Sequence, residues 1–288
     1  MYNTLGTGWL PDYPDHRDYG QDHEAVKGLF DRLLAVERTN LPDAYDLSEF
    51  CSPIENQESI GSCTAHAAIG LLEYFERRAH KKHIDASRLF LYKATRNLLG
   101  WNGDTGAFLR TVMGALTMVG APPERYWPYD IKKFDEEPGQ FVYSVAQNFK
   151  AVKYARLDTM TTSKPELLEK IKRNICEGLP SMFGFSVFNS ISHASNNGGI
   201  IPFPAKGERQ TGGHAIMCVG FNDNCKTKNR IDNKEYTGAL KIRNSWGTGW
   251  GNRGYGWLPY EYVLRGLATD WWTLINSDWV DTGEFGLQ

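Results

Sequence analysis

Apolar residues in the first part of the chain recur at intervals of three and four, the period of an amphipathic helix. The pattern predicts helices over residues 63–78, 89–99 and 107–119, and a shorter one within residues 23–38. Another helix is predicted from Ser163, because Ser163 and Glu166 match a capping box, Pro165 suits the first turn and Gly178 ends it.

The pattern changes after about residue 179. Short runs rich in Val, Ile, Phe and Trp, separated by Gly, Asn and Asp, predict strands at residues 180–188, 214–221, 240–244 and 254–258. Helices first and strands second indicate an α+β fold in two lobes rather than an alternating one.

Composition narrows the class of protein. The 288 residues are 41% hydrophobic and 23% charged, with a net charge of −2, which is typical of a globular protein and gives no basic surface for nucleic acid or anionic membranes. No apolar run approaches the length of a membrane span, and the first twenty residues lack signal-peptide features. We expect a monomer that is cytoplasmic, or secreted or periplasmic if a signal peptide has been removed.

The five cysteines are scattered and form no Cys-x-x-Cys pair. This spacing argues against a structural zinc site and against a disulfide-rich scaffold. If one cysteine is a free nucleophile, the other four are either reduced or form up to two disulfides.

Cys63 is the candidate nucleophile. It follows Gly61-Ser62 at a predicted helix start, where the helix dipole favours a thiolate. The amide of Gln57, six residues upstream, is a candidate donor to an oxyanion beside the Cys63 backbone N–H. The alternative is that Cys63 is an ordinary buried helix cysteine.

Two histidines are candidate bases. His66 lies three residues after Cys63 but among alanines, so packing is the simpler interpretation. His214 follows a Gly pair and leads into a predicted strand, and Asn244 lies 30 residues further on (244 − 214). An Asn amide oxygen can hold one ring N–H of a histidine and leave the other nitrogen facing a thiol.

Together these motifs resemble the papain-like (C1) cysteine peptidases. The separation of Cys63 and His214 is 214 − 63 = 151 residues, close to the spacing typical of that family. The matching stretches are Asn56-Gln57, Gly61-Ser62-Cys63, Gly212-Gly213-His214-Ala215-Ile216 and residues 244–255.

The resemblance implies a papain-like two-lobe fold. A helical left lobe would carry Cys63, a β-barrel-like right lobe would carry His214 and Asn244, and the cleft would lie between them. It implies a thiolate–imidazolium pair, an acyl-enzyme intermediate, Gln57 in the oxyanion hole, and a protein or peptide substrate. No metal or organic cofactor is needed. Residues assigned to the substrate side are Gly106, Thr105, Gly213 and Trp246; Trp246 would also shield the Asn244–His214 hydrogen bond.

The chain also departs from the family pattern. Ile60 stands where the family usually has a disulfide-bonded cysteine, and residues 101–106 lack a cysteine that is usual there. Thr64 replaces an aromatic residue, and His66 stands at a usual core Phe position. These differences are more similar to prokaryotic members than to lysosomal or plant ones.

The predicted organisation has three parts. Residues 1–40 form an N-terminal extension that is a possible pro-segment, residues 41–275 the peptidase domain, and residues 276–288 a C-terminal tail. Within the domain, about 45–140 would be helical and 141–265 β-rich. Residues 189–212 form an insert that would either shape the cleft or be a solvent-facing hairpin.

Two other functions remain open from the sequence. The same chemistry would allow acyl transfer to an amine, as in a ligase or a transglutaminase-like enzyme. A catalytically silent papain-like binding protein is the alternative outside enzymology, and the complete set of Gln57, Cys63, His214 and Asn244 argues against it.

Overall fold

A computed structural model describes residues 7–34, 40–150 and 153–285 of the chain. Most of the helices come before residue 180 and most of the strands after it, which confirms the predicted α+β order. The α-helices in these residues are α1 Glu24–Leu33, α2 Cys63–His80, α3 Arg88–Leu99, α4 Leu109–Met118, α5 Gln140–Ala146, α6 Lys164–Cys176, α7 Glu261–Leu264 and α8 Ser277–Val280. Short 3₁₀ turns lie at Ser48–Phe50, Glu124–Tyr126, Ile131–Lys133 and Asn189–His193.

The strands form one antiparallel sheet. Within the described residues its order is β2-β7-β3-β4-β5-β6, and β1 pairs separately with β4. The strands are β1 Ala44–Asp46, β2 Lys153–Arg156, β3 Ser181–Phe188, β4 Gln210–Lys228, β5 Glu235–Arg243, β6 Tyr255–Pro259 and β7 Ala268–Ile275.

Local sequence signals account for several helix boundaries. The capping box predicted at Ser163 is present, with the Ser163 side chain accepting the Glu166 N–H and the Glu166 side chain accepting the Ser163 N–H. Helix α1 begins after His23, whose side chain accepts the N–H of Ala25. Residues 35–38 of the helix predicted within 23–38 lie outside the described residues.

Several elements were not predicted from the pattern. The helix predicted from residue 107 starts at Leu109, because Ala107 is in an extended bridge with Trp9. Strands β1, β2 and β7 were not predicted. They are short or lack clear alternation, and their partners lie far away in sequence.

Helix α2 lies at the centre of the molecule, between the other helices and the sheet. Its close approach to the sheet depends on Gly70, where an added Cβ would lie 2.4 Å from Nη1 of Arg243 and 2.8 Å from Sδ of Met217. The first residue of α2, Cys63, is therefore held against strand β4.

The C-terminal residues pack on the same helix. Trp279 of α8 stacks on Phe75 of α2 with ring centroids 4.8 Å apart, and Phe285 packs on the same ring. Among the described residues, no helix has the length and apolar character needed to cross a membrane.

The insert at residues 189–212 lies mainly beside strand β6. Ile200 forms a bridge with Trp257, and Ile201 is buried. This part of the insert therefore packs on the sheet and is not a solvent-facing hairpin. Its last residues open strand β4, and Gln210 and Gly212 line a cavity together with Trp9.

Candidate active site

The thiol of Cys63 lies at the start of α2 and has no exposed surface. Its Sγ accepts a hydrogen bond from the backbone N–H of Ala215 on β4 at 3.4 Å. The thiol therefore sits directly against the residue that follows His214. Ala215 was not singled out from the sequence, although it belongs to the Gly-Gly-His-Ala motif.

His214 is oriented by Asn244. Its Nε2 lies 2.8 Å from Oδ1 of Asn244, and the same oxygen accepts the backbone N–H of Ser245 at 2.8 Å. Because a carbonyl oxygen only accepts, Nε2 carries the proton and Nδ1 is the basic nitrogen. The sheet register brings the two residues together, since Met217 pairs with Arg243, which precedes Asn244.

Two tryptophans cover the imidazole. Trp246 stacks on His214 with ring centroids 4.3 Å apart and an interplanar angle of 15°. Trp250 packs edge-on against Trp246 at 5.6 Å. His214 is fully buried as a result, and the hydrogen bond to Asn244 lies in an apolar environment.

Gln57 joins the two lobes beside the thiol. Its Nε2 donates to the carbonyl of Ile60 at 3.0 Å, and its Oε1 accepts the hydroxyl proton of Ser245 at 2.6 Å. Its backbone N–H donates to the carbonyl of Ser245 at 2.8 Å. Ser245, which the sequence analysis did not single out, therefore fixes which way the Gln57 amide points.

His66 lies behind the site and not in it. It is 3% exposed, and its Nδ1 is 3.1 Å from the carbonyl of Ser62. Burial, together with the charge of Arg88, lowers the pKa of His66 to about 3. Tyr129 packs edge-on against this ring; its hydroxyl lies 2.7 Å from Ser62 Oγ and donates to the Gln57 carbonyl at 2.9 Å.

The N-terminal segment, defined here as residues 7–20, crosses the cleft over the thiol. The N–H groups of Gly8 and Trp9 both donate to the carbonyl of Gly213 at 3.1 Å. On the opposite wall, Ala107 donates to the Gly8 carbonyl at 2.9 Å and accepts the Leu10 N–H at 3.1 Å.

The predicted substrate-side residues divide into two groups. Gly213 contacts the segment through its carbonyl, and Gly106 contacts it closely, since an added Cβ would lie 2.1 Å from the Gly8 carbonyl oxygen. Thr105 is exposed, bonds locally to Gly106 and lines a surface cavity together with Leu10 of the segment. Trp246 contacts His214 instead. The backbone hydrogen bonds from this wall to the segment come from Ala107, which the sequence did not reveal.

Two arginines anchor the segment further along. Arg110 donates to both carboxylate oxygens of Asp18 at 2.7 Å and also pairs with Asp12. Arg156, fully buried, lies 3.3 Å from Asp18 and donates to the Asp12 carbonyl at 2.8 Å. Although burial opposes it, the hydrogen bond to Arg110 leaves the pKa of Asp18 below its ordinary value.

Both reactive groups are neutral in this arrangement. Burial raises the pKa of the Cys63 thiol to about 11, although backbone N–H groups of Ala215 and Gly8 act in the opposite direction. Burial lowers the pKa of His214 to about 4, against the effect of its bond to Asn244. Among the described residues, Nδ1 of His214 has no hydrogen-bond partner.

None of the five cysteines forms a disulfide. Ile60, at the position where the family usually has a disulfide-bonded cysteine, is buried. The neighbouring Gly61 N–H donates to Oδ1 of Asp104 at 2.8 Å. This hydrogen bond links the loop at residues 101–106 to the nucleophile loop, the residues 60–62 that precede Cys63.

A buried thiol at a helix start, an Asn-oriented histidine on the facing sheet and a cleft between two lobes define a cysteine peptidase of papain-like fold. The papain family of cysteine proteases matches residues 41–270, and this chain belongs to that family. Its enzyme class is therefore that of the cysteine-type peptidases.

Individual relatives agree with this assignment. The crystal structure of xylellain, a cysteine protease from Xylella fastidiosa, has a TM-score of 0.72 and 32% identity, covering 94% of this chain and 96% of that one. An uncharacterized peptidase C1-like protein of Acanthamoeba polyphaga mimivirus is 37% identical over 254 residues, covering 86% of this chain and 75% of its own length.

A more distant structure shares the fold. Digestive procathepsin L 3 of the Tenebrio molitor larval midgut has a TM-score of 0.63 at 15% identity, covering 96% of this chain and 77% of that one.

Proposed function

We propose that the chain hydrolyses peptide bonds with Cys63 as nucleophile and His214 as base and then acid. The Cys63 thiolate attacks the scissile carbonyl carbon, and the His214 imidazolium protonates the leaving amine, which leaves a thioester. Water then attacks the thioester carbon and gives a proton to His214. The C–S bond then breaks, the carboxylic acid product departs, and the thiolate of Cys63 is restored beside the imidazolium of His214.

Two residues assist these steps in the proposal. Asn244 keeps the proton of His214 on Nε2, so that Nδ1 exchanges protons with the thiol and the substrate. The Gln57 amide and the Cys63 backbone N–H are assigned to the oxyanion of each tetrahedral intermediate. The bond from Ser245 to Gln57 Oε1 supports this assignment, because it turns the Gln57 NH₂ group away from Ser245.

The N-terminal segment would hold the enzyme inactive. This role is supported by the backbone hydrogen bonds of Gly8, Trp9 and Leu10 to both cleft walls. Cys63 is fully buried beneath them. A substrate needs the same cleft. Once the segment leaves, water reaches Cys63 and His214. Burial then no longer raises the pKa of the thiol or lowers that of the imidazole, so the thiolate–imidazolium form becomes accessible.

A cut chain tests both parts of the proposal. A specific protease site placed at the exposed Asp22 lets the whole chain fold first and then frees residues 1–21, while helix α1 stays in place. After cutting and removal of the freed peptide, we expect cleavage of a fluorogenic peptide to rise by at least about tenfold. Adding a synthetic peptide of residues 7–20 should reverse this.

Control variants separate the possible failures. Cys63→Ala, cut in the same way, should keep its circular dichroism spectrum and lose all turnover. If the cut wild-type chain is folded but inactive on every peptide, the peptidase proposal is wrong. If cut and uncut chains are equally active, only the inhibitory role is wrong. Products made with an added amine would show whether acyl transfer competes with hydrolysis.

A further inference from the structure

The side chain of Trp9 lies in a slot over the neighbouring strands β3 and β4. It is 6% exposed. Gly184 and Gly213 line the same side of the slot, since Gly184 pairs with Ala215, two residues after Gly213. A Cβ at Gly184 would lie 1.9 to 2.3 Å from Cε2, Cδ2 and Nε1 of the indole, and a Cβ at Gly213 would lie 2.8 Å from Cε3. Only glycine at both positions leaves room for the indole.

A carboxylate lies at the floor of the slot. The indole N–H of Trp9 donates to Oδ2 of Asp270 at 3.0 Å. The other oxygen, Oδ1, accepts the indole N–H of Trp272 at 2.7 Å and lies 3.5 Å from Nη1 of Arg156. Asp270 has no exposed surface, so each of its oxygens needs a donor.

The peptidase domain itself fixes this carboxylate. The backbone of Asp270 has a φ of +64°, which is uncommon for a residue with a side chain. Asp158 maintains it by accepting the N–H groups of Asp270 and Trp271 at 2.8 and 2.9 Å. The donor to Oδ2 comes from the N-terminal segment and leaves with it.

The slot opens beside the reacting groups. Trp9 is the residue whose backbone N–H bonds to Gly213, next to His214, and whose two neighbours pair with Ala107. A substrate lying along these walls presents one side chain to the same slot. We infer that this slot, with Asp270 at its floor, selects substrates that place a tryptophan side chain in it.

The charge of Arg156 beside Asp270 favours a substrate side chain that is a neutral hydrogen-bond donor over one that is a cation. The Arg156 guanidinium already faces Asp270, so a substrate lysine or arginine would bring a second cation beside it. A phenyl ring fits the width but leaves Oδ2 without a donor.

This inference rests on the proposed peptidase function, and the cut chain tests it with a peptide series. Each position of a fluorogenic peptide is set in turn to Trp, Tyr, Phe, Leu or Lys. At one position we expect kcat/KM for Trp to exceed that for Phe by at least about tenfold, because Phe leaves a buried hydrogen-bond acceptor unpaired. Equal rates for Trp and Phe at every position, or a preference for Lys, would overturn the inference.

Asp270→Asn tests the hydrogen bond to the indole most directly, because it changes the acceptor and little else. Asn tolerates a positive φ, and when its oxygen faces Trp272 and Arg156 its NH₂ group faces the indole N–H. The Trp-to-Phe ratio should fall to about one. Gly184→Ala should shift the preference from aromatic to small side chains, whereas the matched change Gly114→Ala, where an added Cβ meets nothing within 4 Å, should leave the profile unchanged.

A binding measurement separates this inference from the peptidase proposal. In the cut Cys63→Ala chain, a peptide of residues 7–20 should bind about tenfold more tightly than the same peptide with Trp9→Phe. With Asp270→Asn the two peptides should bind alike. If the cut enzyme cleaves nothing while this binding pattern holds, the peptidase proposal is wrong, but the preference of the slot for tryptophan is supported. If both peptides bind wild-type Asp270 equally, the inference is wrong whatever the activity.

Discussion

The carboxylate of Asp104 accepts the backbone N–H of Gly61 at 2.8 Å, two residues before the nucleophile. The same oxygen accepts the Tyr92 hydroxyl proton at 2.6 Å, and that hydroxyl in turn accepts the Gly106 N–H at 3.0 Å. One side chain thus fixes the nucleophile loop to the wall that contacts the N-terminal segment, where relatives are expected to have a disulfide.

Removing this carboxylate should loosen the cleft. Asp104→Ala leaves the Gly61 N–H and the Tyr92 hydroxyl without their acceptor, so we expect a loss of about 1–3 kcal/mol in the free energy of unfolding. The cut enzyme should also show a higher KM, because the Ala107 wall is no longer held in place. Urea unfolding and steady-state kinetics measure these effects.

Asp104→Asn is the matched control for this change. Its amide oxygen still accepts both hydrogen bonds, so stability and KM should stay close to wild type. If the Ala and Asn variants behave alike, the hydrogen bonds of Asp104 do not position the loop.

The link between Ser245 and Gln57 should affect the rate more than binding. Ser245→Ala removes the donor to Gln57 Oε1 and lets the amide rotate. Since Gln57 is proposed to act on the oxyanion, we expect kcat to fall by about tenfold with little change in KM. Single-turnover kinetics of the cut enzyme measure this. Combined with Gln57→Ala, the Ser245 change should have no further effect; additive losses would contradict the coupling.

The reactivity of Cys63 should depend on pH differently in the cut and uncut chains. With the segment docked, the thiol pKa is raised to about 11 and the sulfur is buried, so thiolate forms only near that pH. Iodoacetamide labelling of Cys63 should therefore be slow at pH 7 and rise toward pH 11.

After cutting, labelling of Cys63 should already be fast near neutral pH, and much faster than at the other four cysteines. Peptide mass spectrometry gives the rate at each thiol. Equal labelling of all five in the cut chain would mean that no activated thiolate exists.

Docking of the segment should weaken in acid. In the docked state Asp18 has a lowered pKa; burial would raise it, and the hydrogen bond and charge of Arg110 outweigh that effect. A depressed carboxyl pKa stabilises docking above the ordinary value of about 4, and this contribution is lost as pH falls through the docked pKa. Affinity of the cut Cys63→Ala chain for the 7–20 peptide should fall steeply below about pH 4.

Asp18→Asn serves as the comparison for the acid effect. Its side chain does not titrate, so the peptide should bind more weakly at neutral pH and show a smaller fall below pH 4. An identical pH dependence for the two peptides would assign the acid effect to other carboxyl groups, such as Asp12.

The sequence by itself determined the longer helices and the set of candidate reacting groups. Helix α2 and the Ser163 capping box are local, since periodicity and caps depend on residues three or four apart. Cys63, His214, Asn244 and Gln57 were proposed as the reacting groups because each has a distinctive short flank. His66 was set aside on its alanine-rich surroundings, and it is indeed packed behind the site.

The tertiary structure decided what covers and shapes the site. Trp9 and Asp270 are 261 positions apart, and no pattern near either residue predicts their hydrogen bond. The path of the segment, the backbone contacts of Ala107 and the role of Ser245 depend likewise on pairings between distant strands and loops. Such pairings arise when the two lobes and the segment bury their surfaces together, and a linear pattern does not carry that information.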